Sequence, residues 1–475
     1  MIILENYIGG ELMAPKDGQY LDNFDPSSGK VFSQTPNSTK ADLDLAVVAA
    51  EKAFPAWSSL SIDQRSRVLL KLSELIEEHI DDLAKAESMD NGKPVSLARK
   101  VDIPRAAQNF RFFASAIVNE ASEAHLQEGR SINYTRRAPL GVVGCISPWN
   151  LPLYLLTWKI APALATGNCV IAKPSEVTPY TAYLLSKLAI EAGLPKGVLN
   201  ILHGQGNQTG KMLVEHPKVK AISFTGGTNT GRLIGVEAAK QFKKVSLELG
   251  GKNPVLVFND CDLENAVQTS VKGAFTNQGE ICLCGSRIFV QQEIYDRFKE
   301  KFVLAVDELT VGQPATDVDL GALVSLQHLE KVEQFVVRAK AEGGKILSGG
   351  NRLEIDGGYY FEPTIIEGLD EHCEINQQEV FGPVVTLIPF KDEEDAIQKA
   401  NSTQYGLAAV VWTENLKRAH RVAHQVKSGI VWVNCWMERD LRTPFGGMKS
   451  SGVGREGGSE ALRFFTEPQN ICIKL

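Results

Sequence analysis

The residues best suited to chemistry lie in a polar loop around Cys282. The run from Asn277 to Arg287 places this cysteine beside glycines and a basic residue, between an apolar helical segment at 266–275 and a strand-like segment at 288–290. Nucleophiles are usually carried on loops that rigid elements hold in place. A lone cysteine, however, is more often a small packing residue than a nucleophile. The loop alone leaves both interpretations open.

Two further polar residues could serve such a nucleophile. Asn150 follows a strand-like segment, where its amide could donate a hydrogen bond to a developing oxyanion. Glu248 stands among apolar neighbours and next to Gly250 and Gly251, and partial burial would raise its pKa towards the range of a general base. Each also has an ordinary interpretation, because Asn150 could cap a helix and Glu248 could be a solvated or paired surface residue.

Two segments have the composition of a dinucleotide site. Phe224 to Gly231 forms a glycine-bearing strand-to-helix junction, where a phosphate can approach backbone N–H groups at the positive end of a helix. Lys173 to Glu176 follows another strand. A carboxylate there binds ribose hydroxyls and repels a 2′-phosphate, which favours NAD over NADP. A simple glycine turn and a helix-capping Ser-Glu pair explain the same residues equally well.

The bulk composition sets the class of protein. A chain of 475 residues predicts two or three domains, and its hydrophobic content of 43% and charged content of 23% are typical of a soluble globular protein. The net charge of −7, without long basic blocks, argues against a nucleic-acid partner. The eight cysteines lack framework or zinc-ligand spacing, which predicts reduced thiols and no metal.

The hydropathy pattern predicts a cytoplasmic protein with no membrane partner. The first residues lack the basic start, apolar core and cleavage site of a secretion signal. No apolar run approaches the ~20 residues that a bilayer-spanning helix needs.

The spacing of apolar residues indicates a nucleotide-binding architecture. The first ~120 residues read mainly as helix, at 41–54, 62–86 and 94–119. From 141 to 248, short apolar strands alternate with helices, as in right-handed βαβ units. The strands are predicted at 142–146, 169–173, 198–202, 221–224 and 244–248. We therefore predict a doubly wound, Rossmann-like parallel sheet.

A second α/β pattern runs from 250 to about 445, with strands predicted at 255–257, 288–290, 384–388 and 431–433. Two segments, 128–137 and 463–475, fit neither block and look like strands with an apolar edge that needs cover. They could form oligomer contacts or pack on their own subunit. We predict an NAD-binding domain at 1–118 and 139–248, a catalytic domain at 249–445, and oligomerisation strands at 119–138 and 456–475.

Five separated motifs resemble, in order, those of the NAD(P)-dependent aldehyde dehydrogenase superfamily. They are Phe224 to Gly231, Leu247 to Pro254, Asn277 to Cys282, Glu379 to Pro383, and Pro444 to Gly452. The resemblance covers essentially the whole chain. It implies the aldehyde dehydrogenase fold, with a small β oligomerisation arm, and a homo-oligomer, either a dimer or a homotetramer.

The resemblance also implies catalytic roles. Cys282, and not Cys284, aligns with the nucleophile whose thiolate attacks the aldehyde to give a thiohemiacetal. Its oxyanion would lie between the Asn150 amide and the Cys282 backbone N–H. Hydride then passes to the nicotinamide, and Glu248 activates the water that hydrolyses the resulting thioester to a carboxylic acid. Lys159, in the helix after Asn150, would assist proton movement.

The same resemblance implies how the cofactor NAD is held. Lys173 and Glu176 would hold the adenosine ribose, Gly226 to Gly231 would flank the pyrophosphate, and Glu379 with Phe381 would position the nicotinamide half. The full predicted cofactor set is Ile146, Ser147, Pro148, Trp149, Lys173, Ser175, Glu176, Phe224, Gly226, Gly227, Thr228, Gly231, Leu249, Gly250, Glu379 and Phe381.

Two positions depart from the family pattern. Glu280 stands where most relatives carry Gln, which adds a carboxylate near the nucleophile. Gly227 stands where a serine commonly bonds the pyrophosphate, which removes one phosphate donor. Neither departure removes a catalytic role.

Three segments, at 102–105, 279–284 and 434–442, resemble the branch that oxidises 2-aminomuconic and 2-hydroxymuconic 6-semialdehydes. These substrates carry a carboxylate remote from the aldehyde. We expect Arg105 and Arg439 to bind it and Trp158 to line the substrate pocket. The ordinary alternative is that both arginines form interdomain or surface ion pairs.

Other functions are less consistent with the residues. Another semialdehyde or a betaine aldehyde could be the substrate. A CoA-acylating relative is disfavoured because Glu248, the base that hydrolysis needs, is present. A non-catalytic protein that retains the fold is disfavoured because Cys282, Glu248 and Asn150 are all intact.

Overall fold

The computed structural model describes every residue from Met1 to Leu475. Its largest sheet has eight strands, and the five predicted between 141 and 248 form a parallel block at its centre. Antiparallel strands extend this block at both ends. In spatial order the strands are Gly452–Val453, Lys244–Glu248, Val219–Thr225, Val142–Ile146, Cys169–Lys173, Leu199–Ile201, Asn6–Ile8 and Glu11–Met13. The predicted doubly wound sheet is confirmed.

Helices cover this sheet, and one cluster of 59 buried apolar residues joins them to it. They are Lys40–Ser59, Ile62–Glu78, Ile80–Asn91, Val95–Leu97, Ile103–Ala116, Pro152–Ala165, Tyr180–Glu191, Lys211–Glu215 and Thr228–Ala239. None of the chain's helices is both long and apolar enough to cross a membrane.

The prediction that the first ~120 residues are mainly helical is confirmed, with two differences in detail. Residues 2–36, for which no element was predicted, contain strands at Ile2–Ile3, Asn6–Ile8, Glu11–Met13, Tyr20–Asp25 and Lys30–Pro36. These strands are only 2 to 7 residues long and show no clear apolar alternation, so pairing with distant segments forms them. The helix predicted at 62–86 is two helices that meet at His79, and the one predicted at 94–119 contains a π-turn, Ala98–Asp102.

The second sheet has seven strands, all parallel except for one edge pair. In order they are Lys345–Ser348, Thr364–Glu367, Val384–Phe390, Gly285–Gln291, Asn253–Val257, Ala408–Trp412 and Ile430–Val433. The helices around it are Leu263–Phe275, Tyr295–Asp307, Leu326–Ala341, Glu374–Gln377, Glu393–Ala400 and Leu416–Gln425. Three of these strands, Lys345–Ser348, Thr364–Glu367 and Ala408–Trp412, were not predicted, because a short apolar run can equally belong to a buried helix.

A third, three-stranded antiparallel sheet contains Thr466–Lys474, Ser131–Pro139 and Ala124–Gln127. The predicted carboxyl-terminal strand range needs a correction, because Gly458–Phe464 is a helix and Phe465 is buried in the hydrophobic cluster around the first sheet. A local apolar run could not distinguish the buried end of a helix from a strand edge. Two small sheets complete the fold, one of Ile2–Ile3, Lys30–Pro36 and Tyr20–Asp25, the other of Arg352–Leu353 and Tyr360–Phe361.

Arg287 ties the second sheet to its surroundings. It is fully buried, and its guanidinium donates to the carbonyls of Lys252, Lys399 and Ala400 at 2.9–3.1 Å and to Ser402 Oγ at 3.2 Å. Burial lowers the pKa of Arg287 to about 9, so the side chain remains charged at neutral pH.

We expect Arg287→Met to lower the free energy of unfolding by about 3 kcal/mol or more, because three buried carbonyls lose a charged donor. Urea unfolding followed by tryptophan fluorescence measures this. Arg297→Met, at an exposed arginine on the helix Tyr295–Asp307, serves as the control and should change the stability by less than about 0.5 kcal/mol. Equal midpoints for the two variants would contradict the prediction.

Candidate active site

The loop that carries Cys282 has a constrained backbone. Asn277, Gln278 and Gly279 have φ angles of 56°, 55° and 72°. These lie in the left-handed region, which is unfavourable for residues other than glycine. A Cβ atom at Gly279 would lie 2.3 Å from the carbonyl oxygen of Gly382. At Asn277 and Gln278 this conformation costs about 1–3 kcal/mol each and persists only where the surroundings impose it. The loop is therefore held in place by its contacts.

Asn150 is one of those contacts. Its Nδ2 donates to the Glu280 carbonyl at 2.9 Å, while Asn277 Nδ2 lies 3.2 Å from both the Glu280 and the Asn150 carbonyls. One Asn150 amide hydrogen remains for another acceptor, since the group carries two. The Cys282 backbone N–H has no partner in the protein, whereas its carbonyl accepts from Asn253 Nδ2 at 2.7 Å. Two donors for an oxyanion thus accompany the thiol.

The surroundings of Cys282 favour the neutral thiol. Burial raises the pKa of Cys282, and the carboxylates of Glu379 and Glu248 raise it further. Glu379 lies with Cys282 and Phe381 around a small cavity, which Cys284 also lines. The charge of Arg439 lowers this pKa by a smaller amount, so the neutral thiol remains favoured.

Glu248 is buried, and neither of its carboxyl oxygens has a hydrogen-bond partner. Burial raises its pKa well above the usual range, and the charge of Glu456 raises it further, while Lys159 opposes that shift. Lys159 Nζ lies 2.7 Å from Glu456 Oε1 and 3.3 Å from Ser223 Oγ. Sequence reasoning missed Glu456, because no motif marks it. A Cβ atom at Gly446 would lie 2.6 Å from Glu248 Oε1, so glycine there leaves room for this carboxyl group.

A cleft of about 1300 Å³ opens at the carboxyl ends of the first sheet's strands. Lys173 Nζ lies 2.6 Å from Glu176 Oε2, and Glu176 Oε1 accepts from the Gly206 N–H at 2.9 Å. Gly227 precedes the helix Thr228–Ala239 and has open space where a Cβ would stand. The predicted cofactor residues that line the cleft are Ile146, Ser147, Pro148, Trp149, Lys173, Ser175, Glu176, Phe224, Gly226 and Gly227.

The other predicted cofactor residues do not line this cleft: Thr228, Gly231, Leu249, Gly250, Glu379 and Phe381. Two of the glycines permit close packing. A Cβ atom at Gly231 would lie 2.3 Å from the Leu249 side chain, and one at Gly250 would lie 2.3 Å from a carboxyl oxygen of Glu379. Thr228 Oγ1 is buried without a partner. The ring of Phe381 packs at 5.2 Å against that of Trp149, which connects the cavity beside Cys282 to the end of the cleft.

Arg105 and Arg439 meet at Tyr154, a residue that sequence reasoning missed. Arg439 Nη1 donates to the Tyr154 hydroxyl at 3.0 Å, and the Arg105 guanidinium lies 5.4 Å from the Tyr154 ring centre. Burial lowers the pKa of Arg105, and the Arg439 charge also lowers it. Neither arginine forms an ion pair with a carboxylate. The guanidinium carbon of Arg439 instead lies 4.1 Å from the ring centre of Phe445 and 5.6 Å from that of the predicted pocket residue Trp158. The alternative in which both were interdomain or surface ion pairs is wrong.

Glu280 is completely buried, and burial raises its pKa well above the usual range. Its Oε1 accepts from the Val324 N–H at 3.1 Å and lies 3.7 Å from His328 Nε2. That nitrogen also lies 2.6 Å from the Phe381 carbonyl, to which it must donate. The extra carboxyl group thus supports the residues behind the loop.

These features define an enzyme class, and the family comparison agrees: the chain belongs to the aldehyde dehydrogenase family, whose model matches residues 13–471. A 2-aminomuconic semialdehyde dehydrogenase of Bos taurus is 50% identical, over 100% of this chain and 99% of the relative. A 2-hydroxymuconic semialdehyde dehydrogenase of Pseudomonas sp. (strain CF600) is 45% identical, over 99% of each chain. An aldehyde dehydrogenase of Bacillus cereus, solved as an NAD+ complex, superimposes with a TM-score of 0.97 at 37% identity, covering 99% of this chain and 96% of that one.

We expect alkylation of Cys282 by iodoacetamide to rise about tenfold per pH unit from pH 7 to 9, since burial keeps the pKa above that range. Glu379→Gln should raise the rate at each pH, because it removes a negative charge that raises the thiol pKa. Mass spectrometry of the Cys282 peptide measures the rate. Glu374→Gln, at a carboxylate paired with Arg338, is the control and should leave it unchanged. An alkylation rate that stops rising below pH 8 would contradict the raised pKa of Cys282.

Proposed function

We propose that this enzyme oxidises a carboxylated semialdehyde, such as 2-aminomuconic or 2-hydroxymuconic 6-semialdehyde, to the dicarboxylate with NAD. The observation that carries the proposal is the pair Arg105 and Arg439, two arginines without acidic partners that meet at Tyr154. An arginine pair offers a planar, bidentate site for a carboxylate. The relatives named for muconic semialdehydes, at 42–50% identity, support the same substrate class.

In the proposed chemistry, the Cys282 thiolate adds to the aldehyde carbon, and the Asn150 amide and the Cys282 N–H donate to the oxyanion that forms. Loss of hydride leaves a thioester on Cys282. Glu248 then accepts a proton from a water molecule while the water oxygen attacks the thioester carbon. This step releases the carboxylic acid and the Cys282 thiolate. The raised pKa of Glu248 suits a base, and the buried Lys159, paired with Glu456, would assist the movement of that proton.

NAD, when bound, supplies the acceptor for the hydride. The cleft fits a dinucleotide, because Lys173 and Glu176 offer a cation and a carboxylate for ribose hydroxyls, and Gly227 leaves open space for a phosphate at the start of the helix Thr228–Ala239. The carboxylate of Glu176 would repel a 2′-phosphate. Glu379 and Phe381, next to Cys282, would hold the nicotinamide half.

We further propose the division into an NAD-binding domain at 1–118 and 139–248, a catalytic domain at 249–445 and oligomer strands within 119–138 and 456–475. The three-stranded sheet supports a homo-oligomer, dimer or homotetramer, because its outer strands leave edge groups unpaired and Leu126 and Ile473 exposed. A cytoplasmic location agrees with eight cysteines that form no disulfide.

The direct test is NADH formation with 2-aminomuconic, 2-hydroxymuconic, succinic and betaine aldehydes. We expect the muconic semialdehydes to have the highest kcat/KM and betaine aldehyde the lowest, because two arginines repel its ammonium group. Cys282→Ala should abolish turnover, while the matched control Cys284→Ala should retain it. Preference for betaine aldehyde, or a requirement for CoA, would overturn the proposal.

Arg105→Ala and Arg439→Ala should each lower kcat/KM for a muconic semialdehyde by about 10–150-fold, the value of one charge-assisted hydrogen bond of about 1.5–3 kcal/mol. The loss should fall mainly on KM, and a neutral aldehyde of similar length should be little affected. Arg442→Ala is the matched control, because this nearby arginine is exposed and paired with Asp440. Equal loss on both aldehydes would contradict a carboxylate-binding role.

A further inference from the structure

A buried lysine that belongs to none of the predicted site residues lies directly behind the Asn150 loop. Lys93 is 0% exposed, and its Nζ donates to the Asn150 carbonyl at 3.0 Å and to Asp102 Oδ2 at 2.6 Å. Glu87 Oε1 lies 4.0 Å away. One ammonium group thus bonds both a carboxylate and the backbone of the proposed oxyanion donor.

Lys93 joins segments that are distant in sequence. It follows the helix Ile80–Asn91, and Asp102 ends the π-turn Ala98–Asp102. Asn150 comes just before the helix Pro152–Ala165. The turn at Gly92 is itself fixed, since a Cβ atom there would lie 2.5 Å from the Ala322 carbonyl oxygen.

Stability alone is a poor reason for this cluster. Removing charges from water costs several kcal/mol per ion, and apolar replacements of buried ion pairs are often neutral or stabilising. Two oxygens of the cluster, Asp102 Oδ1 and Glu87 Oε1, have no hydrogen-bond partner. The lysine is therefore better explained by the group that it orients.

That group is the peptide of Asn150. Its carbonyl accepts from Lys93 Nζ and from Asn277 Nδ2, which uses both lone pairs. The preceding carbonyl, of Trp149, accepts from Asn91 Nδ2 at 3.0 Å. With both peptide planes fixed, the Cα–Cβ bond of Asn150 has a fixed direction. Without Lys93, one of the two donors to the Asn150 carbonyl is lost.

We infer that Lys93 is a positioning residue for the oxyanion site: its ammonium, held by Asp102, fixes the Asn150 carbonyl and thereby aims the Asn150 amide at the oxygen of an aldehyde bound to Cys282. The inference rests on the proposed role of Asn150. It does not depend on the substrate assignment, because any aldehyde that the enzyme oxidises reports on it.

The test is a double-mutant cycle of Lys93→Met and Asn150→Ala, read as the single-turnover rate of NADH formation at saturating NAD and aldehyde. We expect each single variant to slow this rate by about 100-fold, the effect of losing an oxyanion donor. In the Asn150→Ala background, Lys93→Met should change the rate by less than about threefold, because the amide that it orients is gone. The Kd for NADH, measured by fluorescence, should stay within about twofold.

Arg65→Met is the matched control. Arg65 is also a buried cation on a backbone carbonyl, donating to Ala165 at the other end of the same helix at 3.1 Å. Its loss should lower the Tm without slowing the single-turnover rate. If Lys93→Met does not fold, Asp102→Asn, which keeps an acceptor of the same shape, should slow the rate by about tenfold, and only when Asn150 is present.

Different results would overturn the inference about Lys93 and the proposed role of Asn150. A Lys93→Met or Asp102→Asn effect of equal size with and without Asn150 would show a purely structural role and overturn the inference about Lys93. An Asn150→Ala enzyme at the parental rate would instead overturn the proposed role of Asn150.

Discussion

The hydrogen bond from the Asn150 amide to the Glu280 carbonyl joins the two halves of the active site. Asn150 follows a strand of the first sheet, while Glu280 lies in the loop before a strand of the second. The left-handed residues at 277–279 are held from both sides, because Asn277 donates to the Asn150 carbonyl and Gly279 lies against Gly382. The positions of the cofactor cleft, the Cys282 thiol and the two arginines relative to one another depend on that junction.

Burial at the junction controls the chemistry of every charged group there. It raises the pKa of Cys282, Glu248, Glu280 and Glu379, because it removes water from around the charged form of each group. Cations placed around them oppose this effect: Lys159 lowers the pKa of Glu248, and Lys93 lowers that of Glu280. The active site is thus a low-dielectric region in which a few buried lysines and arginines determine which acids ionise.

The arginine pair follows the same principle. Arg105 and Arg439 come from opposite halves of the chain and have aromatic rather than acidic neighbours. Two close cations with no counter-ion repel each other, so an anion between them would be bound favourably. A site of this kind selects substrates by charge, which explains why we expect a carboxylated aldehyde and not an ammonium-bearing one.

The sequence by itself determined the parallel core of the first sheet, the motif order and the family, because apolar strands, glycine turns and a polar cysteine loop are local patterns. It did not reveal Lys93, Tyr154 or Glu456, whose types are ordinary and whose partners lie 9 to 297 residues away. It also missed the short strands at the amino terminus, which form by pairing with segments further along the chain. Only the tertiary structure decided these features, since burial and the approach of distant side chains give a common residue its charge state and its role.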